Sequence, residues 1–487
     1  MSLTSLVLRG AFWNTFGIWF QKAIGIGATV VIARLLTPTD YAIAGLAGAA
    51  MGFFRILTAH GFGYALVQRK ELDEITCHSI FWFLSFVGLG LGVIVVLIAP
   101  WTSQFYDSPE LIQVMQILSL SLIISMLSSV PRSLLQRAMR FREINILAVL
   151  GGGIAAILSI GMAWSGYGYW ALIMPSLGAS LLTSISVFWI SSYYPKPVFK
   201  WMEIKKSSNF GLSVTLSNVL GYLGSNIDYL IMGRFWTRAN FGQYYFAFEQ
   251  FGKPHQMLTR QLGGVLLPAF SRVQDDLSRL RSGFLKGTHS MCLMLYPIHI
   301  LLIGLANPLI PLIFGEQWRP SIPVFQVFFI HILIVAPSSI SNEVILALKR
   351  PQFSLLFNVL RIAVTLPVLL WLGMTGASIT KTAVCLLFIW LLFFPLWLGY
   401  SLYLMRLSLK EMWHYMRGLV GITVVMALVM VACRVVAEIN GWPIWLMFLM
   451  TVSLSSGVYL ILARQYIFDL LKIIRSSLAK KVEHAEG

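Results

Sequence analysis

The chain has 487 residues, of which 57% are hydrophobic and only 11% are charged, and its mean hydropathy is +0.78. Soluble domains carry about 25% charged residues, so this composition excludes a soluble globular protein and indicates a polytopic helical membrane protein. A formal net charge of +17 would suggest a nucleic-acid partner in a soluble protein. Its placement in membrane loops gives another reason for it, so no nucleic-acid partner is expected.

Membrane spans are the first feature to place, since a spanning helix needs about 20 mostly apolar residues. The chain contains fourteen such segments. In chain order they cover residues 9–36, 41–67, 75–101, 111–130, 144–164, 166–190, 209–235, 241–268, 288–314, 322–348, 353–372, 376–404, 412–436 and 442–463. The least certain boundary is the one between the fifth and sixth spans, where only three residues interrupt the apolar run.

The basic residues of the loops alternate between the two sides of the membrane. The N-terminal side, counted with every second loop after it, holds 25 of the 36 Lys and Arg residues, whereas the other side holds six. Cytoplasmic loops retain Lys and Arg, so we expect both termini to face the cytoplasm. An even number of spans agrees with this orientation.

The remaining five cations lie near the middle of apolar segments. They are Lys22, Arg55, Lys253, Arg260 and Arg361. A charge at this depth costs roughly 3 kcal/mol or more, so it normally faces a water-filled cavity or a partner. The acids at comparable depth are fewer, mainly Asp228, Glu249 and Glu343. A positively charged interior favours an anionic cargo that passes through the protein.

The two halves of the chain resemble each other when the sequence is shifted by 200 residues. Residues 33–37 (Ala-Arg-Leu-Leu-Thr) match residues 233–237 (Gly-Arg-Phe-Trp-Thr), and a weaker match joins the basic loops 134–141 and 346–353. Both members of each pair run the same way through the membrane, which predicts a parallel repeat with the substrate site between two lobes. Chance similarity between apolar helices is the alternative.

The expected fold is therefore all-α, with two pseudo-symmetric six-helix lobes and two additional C-terminal helices. We assign residues 1–190 to the N-terminal lobe, 191–208 to a cytoplasmic linker and 209–404 to the C-terminal lobe. The last two spans occupy residues 405–463, and residues 464–487 form a cytoplasmic tail. Rocking one lobe against the other would give alternating access.

Several motifs resemble signatures of the polysaccharide exporters. Residues 32–42 (Ile-Ala-Arg-Leu-Leu-Thr-Pro-Thr-Asp-Tyr-Ala) resemble the signature after their first span, and Asn-Ile-Asp at 226–228 resembles their seventh span. Residues 267–272 (Leu-Pro-Ala-Phe-Ser-Arg) and 314–318 (Phe-Gly-Glu-Gln-Trp) are similar to motifs near their eighth and tenth spans. One departure is Ala59, where many relatives carry an acid, so no role for an acid there is carried over.

On these motifs the chain is identified as a member of the Wzx-type flippases, in the colanic-acid and O-antigen exporter branch of the multidrug/oligosaccharidyl-lipid/polysaccharide superfamily. The resemblance implies that it moves undecaprenyl-diphosphate-linked oligosaccharide to the periplasmic leaflet of the bacterial inner membrane. The product would be exopolysaccharide, capsule or the O-antigen of lipopolysaccharide. Membrane lipids, a polysaccharide polymerase and a chain-length regulator are the implied partners.

For such a diphosphate cargo, the five mid-membrane cations are the expected ligands. Arginine binds two phosphate oxygens at once, whereas lysine acts as a point charge. Four of the five cations also have a plainer explanation. Arg55 could instead form an ion pair with Glu249 or Asp228, and Lys22 could instead donate a hydrogen bond to helix carbonyls. Lys253 is placed to pair with Glu249 four residues earlier, and Arg260 to reach the cytoplasmic interface.

A second set of residues is assigned to coupling or gating: Arg34, Asp228, Arg234, Glu249, His60 and His255. The two arginines lie at matching periplasmic span ends, where they either anchor the helices or close a gate with Asp40. Asp228 is either an ion-coupling acid or a partner of Arg234. The two histidines titrate near neutral pH when unperturbed. Two other histidines, His299 and His331, are expected to be satisfied core residues.

No catalytic set is visible in the sequence, because it has no nucleotide-binding loop, no metal-ligand cluster and no nucleophile–base spacing. We therefore expect a transporter that is not an enzyme and needs no cofactor or metal. The alternatives are a drug/cation antiporter or a lipid II flippase of the same superfamily, and an O-antigen polymerase or ligase. An antiporter favours acids in its cavity and twelve spans, and a polymerase or ligase needs a large outer loop.

Overall fold

The computed structural model describes residues 20–58, 66 and 73–486. Within that part, the side chains at 203, 206–218, 251, 253, 254, 256–258, 260–265, 470, 471 and 473–486 are not described. The predictions made for Ala59, His60 and the side chains of Lys253 and Arg260 therefore lie outside the described residues.

The first half of the described chain is a series of α-helices joined by short turns. The helices are α1 (residues 20–35), α2 (Pro38–Thr58), α3 (Glu74–Tyr106), α4 (Glu110–Leu127), α5 (Ser129–Arg137), α6 (Phe141–Trp164), α7 (Trp170–Ser191) and α8 (Trp201–Phe235). The uncertain boundary between the fifth and sixth spans lies between α6 and α7. There, Gly166 and Gly168 take positive φ angles of 79° and 54°, which L side chains rarely adopt.

The second half continues in the same way. Its helices are α9 (Arg238–Arg272), α10 (Leu277–Phe314), α11 (Ile322–Val335), α12 (Ser341–Ala347), α13 (Pro351–Met374), α14 (Ile379–Leu404), α15 (Leu409–Ile439) and α16 (Ile444–Glu486), with 3-10 turns at Glu316–Ser321 and Ala336–Ser338. In hydrocarbon every backbone polar group must find its partner within the protein, and a helix meets this requirement along a single segment.

Eleven helical segments in the described part of the chain are long and apolar enough to cross a membrane. The other three predicted spans, the first, seventh and eighth, correspond to α1, α8 and α9, which adjoin or include residues that are not fully described. Helices account for every regular element in the described residues. The predicted all-α polytopic membrane fold is thereby confirmed.

Two predicted spans are interrupted in their C-terminal halves. The tenth span divides into α11, the 3-10 turn Ala336–Ser338 and α12, and the fourth divides into α4 and α5. Pro337 lies in the interruption of the tenth span, and a proline has no N–H to continue the helical hydrogen bonds. The short helices α5 and α12 hold the beginnings of the two basic loops that the sequence paired.

The two helix junctions that the sequence paired end in matching backbone hydrogen bonds. At the junction of α1 and α2, the Leu36 amide donates to the Ile32 carbonyl over 2.9 Å. At the junction of α8 and α9, the Trp236 amide donates to the Met232 carbonyl over 3.0 Å. These two bonds are 200 residues apart, which is the shift found in the sequence.

The basic loops at residues 134–141 and 346–353 are related in the structure by a different shift from the one that the sequence match suggested. Met139 after α5 and Lys349 after α12 both take positive φ angles, 56° and 58°, and both follow the same pattern of capping bonds. They are 210 residues apart, whereas the sequence match had suggested 212. The left-handed residue that ends each helix sets the structural register, and the sequence match had compared residue types alone.

The segment between α7 and α8 packs on the beginning of α3. The Trp82 indole donates to the Lys196 carbonyl over 2.8 Å, and the Lys200 amide donates to the Ser79 hydroxyl over 2.9 Å. Tyr193 is buried in the same place, where its hydroxyl lies 3.1 Å from Nδ1 of His78. Burial raises the pKa of Tyr193 above its ordinary value. Residues 192–200 are therefore an anchored connection.

Helix α10 begins at a carboxylate cap outside the membrane segments. One oxygen of Asp276 accepts hydrogen bonds from the amides of Ser278 and Arg279, each 3.1 Å long, and from the Ser278 hydroxyl. The hydroxyl of Ser278 is the main reason why the pKa of Asp276 lies below its ordinary value. The cap satisfies amides that have no partner inside the helix.

The last helix is longer than the sequence analysis expected. The final span was placed at residues 442–463 with a tail after it, whereas α16 continues to Glu486. Residues 464–486 contain no glycine or proline and are rich in Leu, Lys, Ala, Arg and Glu. These are strong helix formers, so the helix has no local reason to end where the apolar run ends.

The chain forms two compact units: Met1–Tyr245 with Leu366–Gly376, and Phe246–Thr365 with Ala377–Gly487. The first unit has an apolar cluster between α3 and α4 that includes Ile80, Leu84 and Met126. In the second unit, α10, α12, α14, α15 and α16 contribute to a larger cluster. The lobe boundaries drawn from the sequence, at residues 190 and 209, stay a prediction.

Candidate functional site

Arg361 is a buried cation near the middle of α13, in the second unit. Its side chain is 7% exposed. The guanidinium carbon lies 4.6 Å from the ring centre of Trp390 on α14, and Nη2 donates to Oδ1 of Asn358 over 3.3 Å. A cation over the face of an indole is stabilised by about 0.5–2 kcal/mol. The charge at position 361 is therefore held by an aromatic ring and an amide.

His331 of α11 contacts the same indole. The rings of His331 and Trp390 have centroids 4.9 Å apart and are tilted by 47°. Nε2 of His331 is buried and has no hydrogen-bond partner among the described residues. Three predicted spans, the tenth, eleventh and twelfth, thus each contribute one side chain to a cluster of Arg361, Trp390 and His331, which we call the indole cluster.

His255 of α9 is close enough to His331 for the two side chains to interact electrostatically. Arg361 also interacts electrostatically with His331. Nδ1 of His255 is also buried without a partner in the described part of the chain. His299 differs, because its Nδ1 lies 2.7 Å from the Leu295 carbonyl of its own helix. The structure thus agrees with the core role expected for His299, whereas His331 has an open ring nitrogen.

The sequence analysis did not select His331 or Trp390 as functional residues. Trp390 was one aromatic among many, and an isolated histidine gives no sign of which helix face it occupies. A usable signal was present, however, since a histidine in the middle of an apolar span is itself a polar residue at depth. Only the packing of α11 and α13 against α14 brings it next to Arg361.

Lys22 and Arg55 belong to the first unit and are both exposed on their helices. Arg55 lies in the last turn of α2, where its carbonyl accepts a hydrogen bond from the Thr58 hydroxyl over 2.7 Å. An exposed guanidinium at this depth is open to a ligand or to solvent. Their assignment to a cavity, like that of Lys253 and Arg260, stays a prediction.

Close packing of α2 against α8 sets the position of Arg55. The Tyr222 hydroxyl on α8 donates to the Ala49 carbonyl on α2 over 2.6 Å. A Cβ atom at Gly52 would overlap the Tyr222 ring, so only glycine allows this approach. Gly52 lies one turn before Arg55, and the helix is therefore held immediately next to the cation.

Asp228 is a buried acid near the C-terminal end of α8. Its carboxylate accepts a hydrogen bond of 2.6 Å from the hydroxyl of Tyr244, which is itself completely buried. The ring of Trp236 packs against Tyr244 with centroids 4.9 Å apart. Glu249, the other acid of the coupling set, is half-buried on α9. The coupling roles of these acids stay predictions.

Arg34 and Arg234 are exposed at the ends of α1 and α8, as their sequence positions suggested. Asp40, the expected gating partner, accepts hydrogen bonds from the amide and the hydroxyl of Thr37, over 2.9 and 2.7 Å. These bonds fix the turn between α1 and α2. A gate between Asp40 and either arginine stays a prediction.

The chemistry available to this set of residues is electrostatic. The cations attract anions, and the histidine, aromatic and amide groups can orient them. Among the described residues, no group of three His, Cys, Asp or Glu side chains could hold a metal ion. The four cysteines are free thiols, two of them buried.

Two solved structures share the fold of this chain. The structure of a lipid II flippase, MurJ, in an inward closed conformation matches 94% of this chain and 99% of that one, with a TM-score of 0.74 and 14% identity. An inward-facing multidrug transporter of the MATE family matches 80% of this chain and 96% of its own, with a TM-score of 0.59 and 13% identity. The fold is therefore that of the MurJ and MATE membrane proteins.

A family model described as polysaccharide biosynthesis protein matches residues 31–323, and the chain belongs to this family. Lipopolysaccharide biosynthesis protein WzxC of Escherichia coli is 24% identical over 391 residues, which cover 78% of each chain. Succinoglycan biosynthesis transport protein ExoT of Rhizobium meliloti is 24% identical over 339 residues, 68% of this chain and 67% of the relative. The family resemblance found in the sequence motifs is confirmed.

Proposed function

We propose that this protein moves undecaprenyl-diphosphate-linked oligosaccharide units from the cytoplasmic to the periplasmic leaflet of the inner membrane. The units would serve exopolysaccharide, capsule or O-antigen biosynthesis. The supporting observation is the combination of a polysaccharide biosynthesis family model with the fold of a lipid II flippase along nearly the whole chain. Relatives whose names refer to transport and to lipopolysaccharide biosynthesis agree with it.

Mid-membrane cations give the proposal its mechanism. The charged diphosphate cannot cross hydrocarbon alone, so its hydration shell must be replaced by protein contacts. Arg55 and Lys22 are exposed and are available for this role. Arg361 is a further cation, whose guanidinium lies over the ring of Trp390. In this mechanism, alternating access through a cationic cavity carries the head group across, while the lipid tail stays in the membrane.

Partners follow from the same proposal. The delivered unit must be polymerised on the periplasmic side, so a polysaccharide polymerase and a chain-length regulator are the proteins expected to act next. The chain itself is expected to perform no chemical step. The driving force would come from an ion gradient, with Asp228 and His255 as the candidate coupling groups, or from consumption of the product.

Deletion of the gene, followed by mass spectrometry of lipid extracts, tests the cargo. We expect undecaprenyl-linked glycans to accumulate and polymer at the cell surface to be lost. In the deletion strain, Arg55→Ala should give export at least about tenfold below that of the wild-type protein, since a charge-assisted hydrogen bond contributes about 1.5–3 kcal/mol. Arg55→Lys should restore it in part, because lysine keeps the charge and loses the two-oxygen contact.

Arg319 provides the matched control, since it is an exposed arginine paired with Glu316 over 2.8 Å in a surface turn. Arg319→Ala should export normally at equal protein level. Accumulation of a peptidoglycan precursor in place of a glycan would instead identify a lipid II flippase. Full export by Arg55→Ala would remove this residue from the phosphate site.

A further inference from the structure

A polar cleft of about 460 Å³ lies within the first unit, between α1, α4, α6 and α7. Its volume falls in the range of small-molecule sites, about 300–1,000 Å³. The three helices α4, α6 and α7 belong to segments able to span a membrane. Eight of the sixteen residues that line the cleft carry polar side chains, and the other eight are apolar residues or glycine.

Six polar side chains on the wall of the cleft form no hydrogen bond with another described residue. They are Gln21, Ser125, Arg132, Ser180, Thr183 and Ser184. Two other serines of the lining are held within the protein: the Ser128 hydroxyl donates to the Ser125 carbonyl over 3.1 Å, and the Ser176 hydroxyl donates to the Ile173 carbonyl over 2.7 Å. Ser184 is the clearest case, because it is only 9% exposed and faces the cleft.

Ser184 is buried, Ser180 and Thr183 are half-buried, and Gln21, Ser125 and Arg132 are exposed. A buried hydroxyl without a partner costs free energy, which applies to Ser184 most directly. Because none of the six side chains is held by another described residue, all six are open to hydrogen bonds with a ligand that enters the cleft.

Two glycines on α6 form the floor of the cleft. A Cβ atom at Gly152 would lie 3.1 Å from Nε2 of Gln21, and one at Gly151 would lie 2.8 Å from Oγ1 of Thr183. Both positions thus admit polar side chains of α1 and α7 directly against the α6 backbone. At the next residue, Gly153, an added Cβ would meet nothing within 4 Å.

The arrangement of these groups points to the chemistry of the ligand. The polar side chains on α7 extend from Ser176 to Ser184, which is about 12 Å along a helix. They supply hydroxyls that both donate and accept, and Arg132 supplies one cation. No aromatic ring is among the residues that line the cleft. A ligand with many hydroxyls and one acidic group fits this set.

We propose that this cleft is a saccharide subsite, which binds the sugar portion of an anionic glycolipid through hydroxyls and Gln21 and binds its acidic group through Arg132. The inference rests on the proposed function and adds a place where the sugar is held. The acidic group is either the phosphate of the lipid linkage or an acid on the sugar itself. Both would use the same guanidinium.

Native mass spectrometry of the full-length protein in detergent tests this subsite. The lipids are the undecaprenyl-linked glycan from the deletion strain, undecaprenyl phosphate without sugar, and phosphatidylglycerol. In Thr183→Val/Ser184→Ala and in Gly152→Leu, we expect glycan–lipid binding to weaken by at least about tenfold, since several hydrogen bonds are lost. Binding of undecaprenyl phosphate should stay unchanged in these variants.

Gly153→Leu is the control, because a side chain there has open space, and it should bind like the wild type. Arg132→Gln distinguishes the two possible acidic groups of the ligand. If Arg132 binds the phosphate, this variant should bind both undecaprenyl lipids more weakly. If Arg132 binds an acid on the sugar, only binding of the glycan lipid should weaken. The mild double variant keeps the test valid if Gly152→Leu does not fold.

Three results would overturn the subsite. Unchanged glycan binding in the cleft variants would mean that the cleft holds water only. An equal loss for undecaprenyl phosphate in the hydroxyl variants would mean a lipid-phosphate site, and a loss confined to phosphatidylglycerol would mean a bulk-lipid site. Wild-type protein that binds no glycan lipid would contradict the proposed function as well, so the two failures are distinguishable.

Discussion

Trp390 contributes to the stability of a buried arginine in the second unit. Its indole lies next to the guanidinium of Arg361 and the imidazole of His331. A cation over the face of an indole is stabilised by about 0.5–2 kcal/mol, which offsets part of the cost of its desolvation.

Replacement of Trp390 should separate the contribution of its ring from that of its size. Trp390→Phe keeps an aromatic face and should lose about 0.5–2 kcal/mol of stability. Trp390→Ala also leaves a cavity and should lose about 3–5 kcal/mol. Thermal unfolding in detergent should therefore rank the wild type above Trp390→Phe and Trp390→Ala last.

Trp189→Ala serves as the control for this series, since Trp189 is 81% exposed on α7. Its unfolding temperature should remain close to that of the wild type. Equal stability of Trp390→Ala and the wild type would show that Arg361 does not depend on the indole.

At the scale of elements, α2 is a helix whose small residues decide how its cation is presented. Gly45 and Gly52 are seven residues apart, so they lie on one face, and a Cβ at either would overlap a tyrosine: Tyr245 or Tyr222. In membranes, helices associate through such small residues because apolar burial between them supplies little driving force. The close approach keeps the end of α2 in a defined position.

Gly52→Ala should force α2 away from α8, because the Tyr222 ring is held by its hydrogen bond to Ala49. Overpacking of this kind costs about 1–3 kcal/mol. We expect a lower unfolding temperature and reduced export, although alanine is the better helix former. Gly90→Ala on α3 is the matched control, since a Cβ there meets nothing within 4 Å.

That control should be as stable as the wild type or slightly more so, because alanine favours the helix by about 0.5–1 kcal/mol over glycine. If Gly52→Ala also proved neutral, close packing of α2 against α8 would not be what holds Arg55 in position.

At the scale of the whole molecule, the distribution of charge sets the orientation in the membrane. Basic residues lie mainly in loops on one side of the predicted membrane, and such loops resist translocation. The turn of residues 107–109 after α3 and the connection of residues 192–200 before α8 should therefore lie on opposite sides. Both termini should lie on the same side of the membrane as residues 192–200.

Reporter fusions measure this directly. Alkaline phosphatase, which is active only outside the cytoplasm, should be active when inserted at residues 107–109 and inactive at 192–200. A fluorescent protein fused at the C-terminus should be bright, since it folds in the cytoplasm. The reverse pattern at both sites would overturn the proposed orientation while leaving the helical fold unaffected.

Some features of the fold are readable from the chain because they depend on local properties. Apolar length located the spans, and the turn at residues 36–41 and its counterpart at 236–241 were found from residue types alone. The register of the second pair of junctions was missed by two residues, because the left-handed conformation of Met139 and Lys349 is invisible in their side-chain types. The length of α16 was missed because hydropathy reports where a membrane ends and not where a helix ends.

Sequence alone therefore determined the helical membrane class and the family, since these follow from composition, run length and motifs. Tertiary structure decided which polar groups meet. Arg361, His331 and Trp390 come from three helices, and the cleft between α1, α4, α6 and α7 gathers polar side chains from positions up to 163 residues apart. The reason is physical: the face that a helix turns toward its neighbours is set by packing, and packing depends on side chains from distant parts of the chain.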